Sequence, residues 1–179
     1  MTGQNPDHRY TQRLGNNMVV IAWILGLVML TWFFSHYLRQ QHNPNENVVS
    51  HSKGGSPEVV LERNRAGHYV ASGRINGRPV TFMLDTGATM VSVPARLAGE
   101  LALAKGPMMQ VTTANGNIPV YSTVLNEVQL GDIVLNNVRA SINPYMTDDD
   151  ILLGMSFLKQ LDFSQEGNRL TLRQPTTTQ

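Results

Sequence analysis

The chain has 179 residues and an almost balanced charge, 14 Lys and Arg against 13 Asp and Glu, for a formal net charge of +1. With no basic stripe and no interleaving of basic and aromatic residues, it offers a nucleic-acid backbone nothing to bind. It has no cysteine, which excludes disulfides, thiolate metal ligation and a thiol nucleophile.

The length suits one folded domain with attachments. Residues 1–15 are polar, carry Arg9 and Arg13, and read as a disordered tail. From Leu14 to Leu38 there is no Asp, Glu, Lys or Arg. Residues 16–38 therefore read as a transmembrane helix, since about 20 apolar residues cross a bilayer. Trp32, Phe33, Phe34 and Tyr37 give it an aromatic end suited to the interface. Ser35-His36-Tyr37-Leu38 has no small-x-small cleavage site, which argues for a retained anchor rather than a signal peptide. Arg9 and Arg13 before the helix slightly outweigh Arg39 and the more distant Lys53 after it, so the positive-inside rule puts the N-terminus in the cytoplasm. Residues 39–57, rich in Gln, Asn, Ser, Gly and Pro, read as a flexible linker. His36, His42, His51 and His68 lack metal-ligand spacing; no metal and no cofactor is expected.

From Val59 the texture becomes short apolar runs split by turn signals, an all-β signature. Tyr69–Ile75, Asn76-Gly77 and Pro79–Leu84 read as a hairpin with a type I′ turn. Pro94 can open a short helix over Ala95–Leu103. A second hairpin turns at Asn115-Gly116, between polar flanks. Tyr121–Leu130, Ile133–Leu135 and Val138–Ile142 read as further strands, with turns at Gly131-Asp132 and Asn136-Asn137. Asp148-Asp149-Asp150 lacks the spacing and glycine of a calcium loop and reads as a solvated acidic loop. Gly154 ends an apolar strand, Met155–Leu161 can form a helix, and Arg169–Arg173 alternates as a last strand. Residues 175–179 are a tail.

The hairpin's second strand, Phe82-Met83-Leu84, runs into Asp85-Thr86-Gly87, and the chain returns through Ala88-Thr89-Met90-Val91. Asp-Thr-Gly is good turn chemistry by itself. A strand that runs into the core and ends on an acid asks for more, because a buried carboxylate is costly without partners. Asp85 is expected in a buried place.

This stretch resembles the catalytic loop of aspartic proteases: two apolar residues, Asp-Thr-Gly, a small residue, Thr, then an apolar residue. Ile151-Leu152-Leu153-Gly154 followed by a helix is similar to the segment that packs beside that loop. With the anchor, the chain resembles a bacterial membrane-anchored retropepsin-like aspartic protease over roughly Val59–Arg173. Two positions depart from the retroviral pattern, Thr89 where Asp is usual and Met155 where Arg is usual.

The resemblance implies a mainly β, retropepsin-like domain over residues 58–174. It implies an aspartic endopeptidase with Asp85, Thr86 and Gly87 as catalytic residues, acting on polypeptides as a homodimer. It also implies that the hairpin tip Thr113, Ala114, Asn115, Gly116 and Asn117 is a flap over substrate. The protease domain would lie on the periplasmic side of the inner membrane. A non-catalytic module of the same fold, dimerising or binding peptide, is the alternative.

Overall fold

The computed structural model describes residues 7–53, 55–113 and 116–175. The chain divides into two compact units, Met1–Gln40 and Gln41–Gln179.

The first unit is helical. Helix α1, Asp7–His42, begins inside the stretch whose polar composition reads as a tail. Met18–His42 is long and apolar enough to cross a membrane. Its 25 residues reach about 37 Å at 1.5 Å each, against a hydrocarbon core of about 30 Å. Trp23, Leu27, Met29 and Trp32 are all exposed, so the apolar surface is not gathered on one face.

The second unit is mainly β and is organised as two sheets. In chain order its strands are β1 Ser50–Lys53, β2 Ser56–Glu62, β3 Tyr69–Ile75, β4 Arg78–Leu84, β5 Val91–Pro94, β6 Met108–Thr113, β7 Gly116–Leu130, β8 Ile133–Asn143, β9 Ile151–Leu153, β10 Asp162–Glu166 and β11 Arg169–Arg173. A seven-stranded sheet runs β3-β4-β9-β5-β8-β7-β6, and a further pairing of β3 with β7 rolls it towards closure. A four-stranded sheet runs β1-β2-β11-β10. Between them lies one core, with Val59, Leu61, Phe82, Leu125, Ile151 and Phe157 fully buried.

Local chemistry explains most reversals. Asn76 and Gly77 take φ of 51° and 76°, the paired positive values of a type I′ turn, and β3 meets β4 in register from Ile75↔Arg78 to Tyr69↔Leu84. Gly131, at φ 57°, turns β7 back into β8. The turn expected at Asn136-Asn137 is instead internal to β8. Asn137 adopts φ 55° there, while β7 pairs with β8 on both sides of it. The expected helices are shorter than their sequence windows. A 3₁₀ turn covers only Ala95–Leu97, and Ala102 then leaves helical space at φ 54°. Helix α2 is Met155–Leu158.

Residues 39–57 are no loose linker. The helix continues to His42, and β1 and the start of β2 follow within the stretch. Asn45 is the anchor. Its side chain donates to the Glu62 and Val70 carbonyls at 2.9 and 2.7 Å and accepts the Glu62 N–H at 2.7 Å. Its own carbonyl takes the Ser72 N–H at 3.1 Å. Composition arguments weigh apolar burial, and this segment is held by hydrogen bonds.

Candidate active site

Strand β4 ends at Leu84, and its partner β9 runs parallel to it, with Leu84 beside Leu153. β5 lies on the other side of β9, antiparallel at Ser92↔Leu152. The loop Asp85–Met90 therefore bridges two strands that a third strand separates. A plain turn joins neighbouring strands; this one straddles β9.

Asp85 is fixed by its backbone. Its N–H donates to the Leu153 carbonyl at 3.3 Å, and its carbonyl accepts the Ala88 N–H at 3.2 Å. Its Oδ1 accepts the Gly87 N–H at 2.8 Å. The local turn chemistry of an Asx turn is thus present, and it aims the carboxylate. A Cβ on Gly87 would lie 3.1 Å from that same Oδ1, so glycine leaves the carboxylate room.

Neighbouring elements clamp the loop. The Met155 N–H at the start of α2 donates to the Ala88 carbonyl at 2.8 Å. Gly154 lies against the loop so closely that a Cβ there would collide with the Met90 and Ala88 carbonyl oxygens. Ser156 is buried; its hydroxyl accepts the Val91 N–H at 2.9 Å and donates to the Arg139 carbonyl at 2.7 Å. One hydroxyl thereby joins β5, α2 and β8. The sequence reading missed Ser156, for which the only signal is a hydroxyl two residues past Gly154 in an apolar run.

Asp85 is half-buried, and Thr86 and Gly87 are exposed. This corrects the expectation of a buried carboxylate: β4 carries Asp85 to the rim of the core, not into it. The loop opens on a cleft of about 290 Å³ lined by Tyr69, Leu84, Asp85, Thr86, Leu158, Phe163, Gln165, Leu170 and Leu172. Asp85 is the one carboxylate among these lining residues. The register from Asn76-Gly77 would have placed Tyr69 opposite Leu84, beside Asp85, had the hairpin been counted through.

Two acids of the Asp148-Asp149-Asp150 run are engaged elsewhere. Asp149 accepts from Arg96 Nε at 2.6 Å, and Asp150 pairs with His42 Nε2 at 2.8 Å. Among the described residues no group of three or more His, Asp or Glu could hold a metal ion. A larger cleft of about 450 Å³, with Arg78, Leu97, Glu100 and Asp149 in its wall, shares no residue with the Asp85 cleft.

The hairpin of β6 and β7 carries the flap candidates. Thr113 Oγ1 donates to the Gly116 carbonyl at 2.8 Å, Asn117 Oδ1 accepts from Thr112 Oγ1 at 2.9 Å, and Gly116 has φ 106°. Ala114 and Asn115 lie outside the described residues. Thr113, Gly116 and Asn117 do not line the Asp85 cleft.

Residues 71–160 match the model of a protein family described as "gag-polyprotein putative aspartyl protease". The chain belongs to this family. Its second unit has the fold of a retropepsin-like aspartic protease from Rickettsia conorii, at 24% identity and a TM-score of 0.55, over 72% of this chain and 94% of that one. An uncharacterised protein from the cobV 5′ region of Sinorhizobium sp is 26% identical, over 88% of this chain and 72% of its own length. An uncharacterised protein of Rickettsia prowazekii (strain Madrid E) is 27% identical, over 58% of this chain and 45% of its own length. The segment shared with the family model runs from β3 to just past α2 and contains the whole Asp85 loop with its clamp.

Proposed function

We propose that this family member is a membrane-anchored aspartic endopeptidase whose active site forms when two copies bring their Asp85 side chains together. The observation that carries this reading is the Asp85-Thr86-Gly87 loop: it straddles β9, is clamped by Gly154 and Ser156, and presents one carboxylate at the rim of an open cleft.

One carboxylate is half of the chemistry. Peptide hydrolysis by acids needs two that share a proton, because like charges so close do not both ionise. The ionised Asp85 takes a proton from water as the oxygen attacks the peptide carbon. The protonated Asp85 gives its proton to the carbonyl oxygen. The tetrahedral intermediate then breaks at the C–N bond: the Asp85 that took the water proton gives it to the leaving nitrogen, and the other Asp85 takes a hydroxyl proton back as the carbonyl re-forms. A second copy related by a two-fold axis supplies the second acid through the same patch. Thr86 is assigned to hold the two loops together, and Gly87 to leave the carboxylate room. Residues 113–117 are assigned as the flap that covers the peptide, with backbone groups able to pair with an extended strand.

Met18–His42 is assigned as the anchor, with residues 1–13 cytoplasmic and the protease domain periplasmic at a bacterial inner membrane. The slight arginine bias before the helix supports this side, and the bacterial relatives support only the bacterial setting. The test is cleavage of an unstructured protein by the purified full chain at mildly acidic pH, with and without a statine-type inhibitor. Inhibitor-sensitive cleavage is expected; a folded chain that cleaves nothing would leave the non-catalytic module as the reading.

A further inference from the structure

Strand β9 separates the two ends of the Asp85 loop, and it is only Ile151–Leu153. It pairs with β4 along its length but with β5 only at Ser92↔Leu152. A strand with so few ladder bonds takes its position from what holds its ends. At the C-terminal end Gly154 and Met155 bear on the Asp85 loop. At the N-terminal end stands Asp150.

Asp148 and Asp149 are exposed, as a solvated acidic loop should be, but the Asp150 side chain is only 13% exposed. Among the described residues the structure gives its carboxylate one partner, His42 Nε2 at 2.8 Å. An imidazole protonated at Nε2, neutral or cationic, donates to such an oxygen. His42 is itself held in place through its backbone and its neighbour. Its carbonyl accepts Asn64 Nδ2 at 2.9 Å, and Asn43 Nδ2 donates to Ser72 Oγ at 3.0 Å. The adjacent pair is different. Asp149 meets Arg96 Nε at 2.6 Å, but its side chain is 80% exposed, so water can replace the guanidinium at little cost. Without His42, the Asp150 charge would be left largely buried and unpaired, which is costly. The relief is to swing that carboxylate out to solvent. Asp150 is bonded directly to Ile151, so the movement draws the start of β9 with it.

We infer that His42 is a positioning residue for the Asp85 loop, acting through Asp150 and β9. The route is short. Ile151 stands beside Phe82 and Leu153 beside Leu84. The Leu153 carbonyl accepts the Asp85 N–H at 3.3 Å, and Gly154 follows against the Met90 and Ala88 carbonyls. A shift at Asp150 thus reaches the backbone of the candidate catalytic acid across one three-residue strand. His42 lies before residues 71–160 that match the family model, so this support comes from outside the shared segment. The effect on cleavage rests on the protease reading; the effect on the loop does not.

The test compares the full chain in detergent with His42→Ala, His42→Gln, His42→Ala/Asp150→Asn and Asp149→Ala. Amide hydrogen exchange, read by mass spectrometry, reports on residues 84–90 and 151–158. His42→Ala should speed exchange in both segments by at least about tenfold, while the β6–β7 hairpin stays as in the wild type. His42→Gln keeps a donor and the double variant removes the stranded charge, so both should return to within about threefold of wild type. Asp149→Ala should match the wild type. On a peptide cut by the wild type, His42→Ala should lose roughly ten- to a hundredfold in kcat at little-changed KM, the cost of a misplaced reacting group. The same two variants should restore kcat. Unchanged exchange in His42→Ala, faster exchange spread evenly over all strands, or a double variant as loose as His42→Ala would each overturn the inference. Faster local exchange in a chain that cleaves nothing would keep the inference and sink the protease reading.

Discussion

Asp85 lies in the loop and Gly154 packs against it, and each matters for a different reason. Asp85→Asn keeps the shape and can still accept the Gly87 N–H, but an amide cannot act as general base. Cleavage should fall by at least about a hundredfold with the circular dichroism and Tm of the wild type; near-normal cleavage by a folded variant would remove Asp85 from the mechanism. Gly154→Ala keeps every charge and hydroxyl but drives a Cβ into the Met90 and Ala88 carbonyls. Neither is a flexible side-chain end, so the backbone must shift. A cost of about 1–3 kcal/mol is expected, visible in denaturant unfolding, together with loss of activity from the displaced loop.

At the scale of elements, the site depends on β9 threading between β4 and β5, and Ser156 is the pin that holds β5 to α2 and β8. Ser156→Ala leaves the Val91 N–H and the Arg139 carbonyl without their partner in a buried place. A loss of about 1–3 kcal/mol is expected, and equilibrium unfolding of wild type against variant measures it. The same logic applies to Asn45. Its side chain serves three backbone groups, so a fragment beginning at residue 58 should unfold at lower denaturant concentration than one beginning at residue 41. Equal midpoints would return residues 41–57 to the status of a linker.

At the scale of the whole molecule, one chain carries one Asp-Thr-Gly and its cleft holds one carboxylate. Specific activity of the full chain in detergent should fall on dilution, whereas chains confined to one membrane should resist it, because tethering raises effective concentration. Excess Asp85→Asn chains should also suppress the wild type, since a mixed pair has one working acid. Constant specific activity down to concentrations where light scattering finds only monomers would end the shared-site mechanism.

The sequence alone determined the apolar helix, because length and the lack of charge from Leu14 to Leu38 are properties of contiguous residues. It also determined the mainly β texture and the hairpin turn at Asn76-Gly77, where local backbone preference decides. The Asp-Thr-Gly between apolar flanks was legible for the same reason, as was the Ile151–Gly154 run that resembles its neighbour. Tertiary structure decided what depends on residues far apart in the chain. Asn45 orders a polar segment through partners at Glu62 and Val70, which no composition window can weigh. Ser156 matters only because Val91 and Arg139 arrive on either side of it. Asp85 sits at the rim rather than inside, because β9 and β5, not the apolar run before it, set how far β4 carries the acid. The cleft that joins Asp85 to Tyr69 and Phe163 exists only once β3, β4 and β10 are folded together, since apolar pattern sets which face of a strand is buried but not which strands share a wall.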